Sequence, residues 1–226
     1  DAKMRNTKES ILEAQFTSGA GNWCTWMFGR DLVNWNNNFT WAKWVTPSRD
    51  LISAFKQEGD EVRFKESIVY YDCNWSNYYP SDNYPFMYKC RSANSSIIKY
   101  RYADVLLLKA EALIMQDTPD LEGAADIIDE VRDRAKLGAL PTSVRSNKNV
   151  LLNALLKERR LELAFEGQRW FDLVRLDKVE EVMNAVYAKD SGRKAQIYTF
   201  DKNSYRLPIP QSVIDANDKI HQNPGY

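Results

Sequence analysis

Two runs of apolar residues with helical spacing constrain the fold of this chain most strongly. In residues 103–114, apolar side chains recur at the i, i+3, i+4 and i+7 positions of an amphipathic helix. Residues 124–135 repeat the pattern, and Gly138 lies just beyond the end of this second run. Only the turn at Asp117–Asp120 separates the two runs, so the sequence predicts an antiparallel helical hairpin.

The other segments predict a mostly α protein with long loops. Asn147–Phe165 carries leucines that face more than one direction, which predicts a third helix packed between neighbours. Thr46-Pro47 marks a further helix, with Thr46 as its N-cap, that ends at Gly59. Residues 1–45 and 67–99 are rich in aromatic and polar residues, and they predict long loops with short strands.

Short elements are predicted near both ends of the chain. Glu9–Phe16 is expected to form a short strand or a half-buried turn. Ile197–Phe200 and Tyr205–Ile209 predict extended segments around a turn, and the following Pro-Ile-Pro leads into a last short helix.

Charge, cysteine and histidine usage exclude several classes of protein. Lys+Arg and Asp+Glu both number 31, so we expect no nucleic-acid binding. The three cysteines form no CxxC pair and the single histidine, His221, lies near the C-terminus. We therefore expect no metal site, no cofactor and no histidine-based catalytic triad. No apolar run approaches the length that a bilayer-spanning helix needs.

The first candidate binding site is the window from Asn22 to Trp44, which holds five of the seven tryptophans. A flat indole can cover the C–H face of a sugar, and amide side chains can hydrogen-bond its hydroxyl rim. The alternative is that these rings only pin a long loop onto the core. The predicted glycan contacts in this window are Trp23, Trp26, Trp35, Asn36, Trp41 and Trp44.

The second candidate is the window Tyr70–Tyr88, in which tyrosines alternate with Asn and Asp residues. The predicted glycan contacts here are Trp75, Tyr78 and Tyr79. A tyrosine-rich packing loop and a protein-binding surface are the alternative interpretations.

The third constellation is a row of carboxylates at Glu158, Glu162 and Glu166, spaced four residues apart on one helical face. Paired carboxylates are also the catalytic groups of glycoside hydrolases. Arginines lie close in the sequence, and charges on a helix packed on several sides need partners. The pattern therefore favours a structural network of ion pairs over a catalytic or metal site.

Four blocks of the sequence occur in the order that is typical of the SusD/RagB family. They are IIKYRYADVLLLKAEALI (97–114), IIDEVRDRA (127–135), LLNALLKERRLELAFEGQRWFDLVR (151–175) and YRLPIPQSVIDANDKIHQNPGY (205–226). The segments ESILEAQF and WVTPSRDLISAFKQEGDEVRF also fit. The third block followed by the Leu-Pro-Ile-Pro and Gln-Asn-Pro-Gly-Tyr ending is the most specific part. The chain thus resembles the C-terminal portion of a SusD/RagB protein.

The resemblance implies a SusD-like helical scaffold with a hairpin like those of tetratricopeptide repeats and long aromatic-rich loops. Residues 1–226 would be the C-terminal SusD/RagB domain, without the N-terminal helical-repeat half. Within it, residues 1–99 would be the loop-rich ligand-binding part and 100–226 the helical framework. Because the chain opens at Asp1 without an initiator methionine, we expect it to be part of a longer protein.

The resemblance also implies a function at the bacterial outer membrane. Such proteins are non-catalytic lipoproteins that bind oligosaccharides or polysaccharides at the cell surface. They deliver these glycans to a SusC-like TonB-dependent transporter, and their lipid anchor is absent from this chain. A helical-repeat adapter for a protein partner is the alternative, motivated by the hairpin. A glycoside hydrolase is the least favoured one, because no acid and nucleophile pair stands in a defined setting.

Overall fold

The structure, a computed structural model, describes residues 5–16, 46–73, 78–89, 96–190 and 199–226. Its strands are β1 (Ser10–Ala14), β2 (Ile68–Tyr71), β3 (Tyr84–Met87) and β4 (Ile97–Arg101). Its α-helices are α1 (Arg49–Glu58), α2 (Glu61–Ser67), α3 (Tyr102–Met115), α4 (Leu121–Arg134), α5 (Thr142–Arg145), α6 (Lys148–Glu162), α7 (Arg169–Arg175), α8 (Val179–Lys189) and α9 (Gln211–Asp215). A 3₁₀ helix covers Lys202–Tyr205. The mostly α fold with short strands agrees with the sequence prediction.

The main core lies between α3, α4 and α6. Asp120 begins α4 by accepting a hydrogen bond from the Gly123 backbone N–H at 2.9 Å, so the turn after α3 is short and the predicted helical hairpin is confirmed. Apolar side chains of the three helices meet with no exposed surface, and each buried leucine contributes about 1.5–3 kcal/mol. They are Leu107, Ala110, Ile114, Ala124, Ala125, Ile128, Leu151 and Leu155.

Two predicted helix boundaries are wrong. Helix α1 begins at Arg49, and its N-cap is Ser48 rather than Thr46, because the Ser48 hydroxyl accepts the Leu51 backbone N–H at 3.1 Å. Helix α6 ends at Glu162, three residues before the predicted end at Phe165. Phe165 and Gly167 both have positive φ angles, 66° and 80°, which are incompatible with a continuing α-helix.

The strands form two antiparallel pairs. β1 pairs with β4, which confirms the strand predicted within Glu9–Phe16. β2 pairs with β3 in a regular register from Ile68 opposite Met87 to Tyr71 opposite Tyr84. This second pair brings the chain back from α2 toward α1, so that Tyr70 of β2 and residues of α1 line the same pocket.

Contacts divide the chain into two compact units, Asp1–Arg169 and Trp170–Tyr226. These units reflect packing alone, so the functional division at residue 99 stays a prediction. In the second unit, the Asn184 side chain forms two 2.9 Å hydrogen bonds with the backbone of Phe200. The described part of this unit contains no β-strand. Tyr205 belongs to the 3₁₀ helix, which corrects the start of the extended segment predicted at 205–209, whereas Arg206 does have an extended backbone. The short helix after Pro210 is confirmed as α9.

Two further observations bear on predictions from the sequence. Trp170, expected on a continuation of the third helix, lies in α7 and is half-buried. Across the described ranges, no helix combines the length and apolarity that crossing a membrane requires.

Candidate ligand-binding site

The predicted glycan contacts fall partly within the described residues. Tyr78 and Tyr79 lie inside them, at the start of the segment that leads to β3. The others lie outside the described residues, namely Trp23, Trp26, Trp35, Asn36, Trp41, Trp44 and Trp75. Their role remains a prediction, and the described part of the candidate site consists of Tyr78, Tyr79 and their neighbours.

An open pocket of about 450 Å³ lies between α1 and the segment that follows β2. Its volume is within the range of pockets that bind small molecules. Helix α1 provides one wall with Arg49, Ile52, Ser53, Lys56 and Gln57. Tyr70, Tyr79, Pro80 and Asn83 provide the other wall. We call it the α1 pocket.

Helix α1 faces this pocket because its apolar side packs elsewhere. Leu51 and Phe55 are buried in a second core with Ile68 and Leu161. The pocket residues at positions 49, 52, 53 and 56 follow the i, i+3, i+4 and i+7 spacing of the adjacent helical face. Sequence reasoning placed this helix but did not assign its polar face to a site, although that spacing is visible in the sequence.

The tyrosines beside the pocket, Tyr78, Tyr79 and Tyr84, form a cluster of edge-to-face rings, which we call the tyrosine cluster. The Tyr79 ring meets Tyr78 edge to face with centroids 4.9 Å apart, and it meets Tyr84 in the same way at 5.6 Å. The Tyr79 hydroxyl donates to the Pro47 carbonyl at 2.8 Å. Tyr84 is buried, and its hydroxyl hydrogen-bonds that of Thr46 at 3.1 Å. These contacts fix Tyr79, so part of the tyrosine-rich segment is packing and part of it lines the α1 pocket.

Arg49 connects the helix to the tyrosines. Its guanidinium carbon lies 4.1 Å from the centroid of the Tyr78 ring and 4.5 Å from that of Tyr79, within cation–π distance. The same guanidinium donates a hydrogen bond to the Tyr78 carbonyl. Arg49 was not among the predicted site residues, because the spacing between a helix and a loop 29 residues later carries no sequence signal.

The carboxylates of the third constellation form a separate, buried ion network. Glu162 binds Arg101 at 2.7 Å, Arg63 at 3.0 Å and also Arg134. Glu158 binds Arg63 at 2.5 Å. Glu166 binds Arg101 at 2.7 Å and Lys89 at 2.5 Å. We call these seven residues the buried ion network.

The electrostatics of Glu162 and Glu166 support a structural role. Burial alone raises the pKa of Glu162, but Arg101, Arg134 and Arg63 outweigh it and lower the pKa to about 2. Burial likewise raises the pKa of Glu166, and Lys89 and Arg101 reverse the direction to a lowered pKa. Both carboxylates therefore stay ionised and paired, and the predicted network of ion pairs is confirmed.

The partners differ from those that proximity in the sequence suggested. Arg159 and Arg160, next to the carboxylates in the sequence, pair instead with Asp104 at 2.9 Å and Asp50 at 2.5 Å. The arginines that hold Glu162 come from α2, β4 and α4. No group of His, Cys, Asp and Glu side chains suited to a metal ion occurs among the described ranges.

Fold and site together describe a helical scaffold that carries a polar and aromatic pocket on its surface. The sequence model of the SusD family matches residues 82–226, which is more than half of the chain. The chain belongs to the SusD family.

Relatives and solved structures agree with this assignment. "SusD-like protein P2" from Formosa agariphila is 36% identical over 143 residues, which cover 60% of this chain and 27% of that protein. "SusD-like protein P38" from the same organism is 43% identical over 99 residues, covering 41% of this chain and 19% of that protein. A SusD superfamily protein from Parabacteroides distasonis superposes with a TM-score of 0.75 at 24% identity.

That superposition covers 100% of this chain and 51% of the solved one. The chain thus spans about half the length of the solved protein that it matches. Similar structures include surface glycan-binding protein A from Bacteroides thetaiotaomicron in complex with laminarihexaose, with a TM-score of 0.70, 19% identity and coverage of 95% of this chain and 52% of that one. A laminarin-binding SusD-like protein matches with a TM-score of 0.67 and 25% identity, over 100% of this chain and 51% of that one.

Proposed function

We propose that this protein binds an oligosaccharide or polysaccharide at the bacterial cell surface without catalysing a reaction on it. The observation that carries the proposal is the α1 pocket, where tyrosine rings and a proline stand opposite hydrogen-bonding side chains of one helix. Membership of the SusD family, together with structural neighbours that bind laminarin and laminarihexaose, supports the same function.

The composition of the pocket walls suits a sugar. Tyr79 and Pro80 offer apolar surface for the C–H face of a pyranose ring. Ser53, Gln57 and Asn83 offer donors and acceptors for its hydroxyl groups. Asn83 is exposed, so its amide is available to a ligand in the open pocket.

A wider role in uptake belongs to the proposal as well. The protein would be held at the outer membrane by a lipid anchor and would pass its glycan to a SusC-like TonB-dependent transporter. Family membership supports this role. Co-purification of a large outer-membrane β-barrel with the full-length protein tests it.

The pocket is tested by calorimetric titration of the full-length protein against plant, host and microbial glycans, with laminarihexaose among the probes. Replacing Asn83 by Ala removes about one hydrogen bond to the sugar and should weaken binding about 2- to 10-fold. Its effect on the free energy of unfolding should stay within about 0.5 kcal/mol, because the side chain is exposed.

The matched control is Asn149→Ala, which changes an equally exposed asparagine at the start of α6, outside the pocket. It should bind glycans as the wild-type protein does. Failure of the wild type to bind any glycan would refute the proposal, and equal binding by Asn83→Ala and wild type would remove the α1 pocket from it. Release of reducing ends from a bound glycan would contradict the non-catalytic part.

A further inference from the structure

We propose that the α1 pocket selects acidic saccharides. A carboxylate or sulfate group of the saccharide binds the Lys56 ammonium, and Arg49 is the second cation in the same wall of the pocket. This inference rests on the proposed function and adds the chemical class of the ligand. The observation behind it is the distribution of charge around the pocket.

The pocket walls carry two cations and no carboxylate among the described residues. Arg49 and Lys56 both belong to α1, and the other lining residues are neutral. The two cations are seven residues apart, so they lie on one helical face about 10 Å apart along the axis. A bound saccharide would therefore meet positive charge toward both ends of the α1 wall.

Carboxylates on or next to α1 point away from the pocket and are already neutralised. Asp50 pairs with Arg160 at 2.5 Å, and Glu58 pairs with Arg132 at 2.7 Å and with Lys157. Asp60, which follows the helix, is buried and binds Arg63. Helix α1 thus separates its charges, with cations on the pocket face and paired acids on the other.

The two cations are suited to different tasks. Arg49 is held over the Tyr78 and Tyr79 rings and donates to the Tyr78 carbonyl, so its positive charge is fixed beside the pocket. Lys56 is exposed, and its ammonium makes no ion pair with any residue in the described ranges. Lys56 therefore supplies a donor that can reach an anionic group, while Arg49 stays engaged with the two tyrosines.

Three hexasaccharide probes of matched length test the inference by calorimetric titration of the full-length protein. Laminarihexaose is the neutral probe, an oligogalacturonate carries carboxylates, and a carrageenan fragment carries sulfate esters. We expect at least one anionic probe to bind about 2- to 5-fold more tightly than the neutral one. This preference should shrink as salt rises from about 0.1 M to about 1 M, because the screening length falls from about 10 Å to about 3 Å.

The variant Lys56→Gln should weaken binding of the preferred anionic probe about 2- to 5-fold, and it should weaken binding of laminarihexaose less than that. The matched control is Lys65→Gln on α2, an exposed lysine outside the pocket that pairs with Glu61, and it should behave as wild type. Arg49 is left intact because its guanidinium also packs on the tyrosine cluster.

The outcomes separate this inference from the proposed function. Binding of laminarihexaose as tightly as both anionic probes, or equal loss in Lys56→Gln and Lys65→Gln, overturns the preference for acidic saccharides while glycan binding stands. Binding of none of these probes, nor of any glycan in the wider panel, overturns the proposed function and this inference together.

Discussion

At the scale of single residues, Glu162 is a buried charge that is held by several partners. Its side chain is 4% exposed and contacts three guanidinium groups, those of Arg63, Arg101 and Arg134. Arg101, itself 8% exposed, also donates to the Glu162 backbone carbonyl at 2.8 Å. A buried pair of this kind is costly to break because its partners cannot return to water.

Replacing Glu162 by Gln keeps the shape of the side chain and removes its charge. We expect a loss of about 3 kcal/mol in the free energy of unfolding, at the lower end for a broken buried pair, because Arg101 retains Glu166 and Arg63 retains Glu158. Chemical denaturation monitored by circular dichroism at neutral pH measures the loss.

The matched control for this substitution is Glu61→Gln. Glu61 is 68% exposed and pairs with Lys65 across one helical turn, so its loss should cost less than about 1 kcal/mol. Similar losses for the two variants would show that burial of Glu162 does not carry the stabilisation assigned to it.

At the scale of elements, local interactions at the two ends of helix α1 determine where this helix begins and ends. Ser48 caps the helix, whereas the Thr46 hydroxyl is used by Tyr84. Gly59 ends the helix with φ at 71°, a left-handed conformation that glycine adopts at little cost. The cap and this end fix the length of α1, and burial of Leu51 and Phe55 decides which of its faces meets the pocket.

Replacing Ser48 by Ala should cost about 1 kcal/mol in the free energy of unfolding, since the Leu51 backbone N–H loses its acceptor. The control is Ser53→Ala within the same helix, where the better helix propensity of alanine offsets the loss of an exposed hydrogen bond from the Gln57 amide, so the expected change stays within about 0.5 kcal/mol of zero. Thermal unfolding of both variants measures the difference. A cost at Ser53 that matched the cost at Ser48 would contradict the assignment of the cap.

Elements with strong periodicity were predictable from the sequence, and their contacts over long separations were not. The α3–α4 hairpin follows from apolar spacing within about 30 residues, which is local information. The Thr46 prediction failed because both Thr46 and Ser48 can cap a helix, and the hydrogen bond between the Thr46 and Tyr84 hydroxyls is a tertiary contact that the sequence does not show. The partners Arg63 and Arg101 lie 99 and 61 residues from Glu162, a separation that only the tertiary fold connects.

At the scale of the whole molecule, the candidate site combines predicted and unpredicted parts. Composition singled out the tyrosine-rich segment, because aromatic and amide residues cluster there, and Tyr79 does line the pocket. Arg49 and Lys56 carry the charge of the pocket, yet in the sequence they are two cations among 31 in a chain of zero net charge. Their role in the pocket depends on the carboxylates of α1 being paired on the opposite side of the helix, and the net charge of the chain does not show this.

The same balance of charges predicts how the molecule responds to acid. In the folded protein the pKa of Glu162 is about 2, against an ordinary value of 4.5 that applies to the unfolded chain. A lowered pKa stabilises the fold above pH 4.5, and this stabilisation is lost as the pH falls from 4.5 through about 2. Glu166 changes in the same direction, so the two carboxylates destabilise the fold together on acidification.

We therefore expect the free energy of unfolding to fall by about 3 kcal/mol from Glu162 alone over that range. Because Glu162→Gln has no carboxyl to protonate at this position, the gap in stability between wild type and variant should close as the pH approaches 2. Urea unfolding of both proteins at a series of pH values from neutral to 3 measures the gap. A gap that stayed constant to pH 3 would mean that the buried ion network does not hold Glu162 in its ionised form.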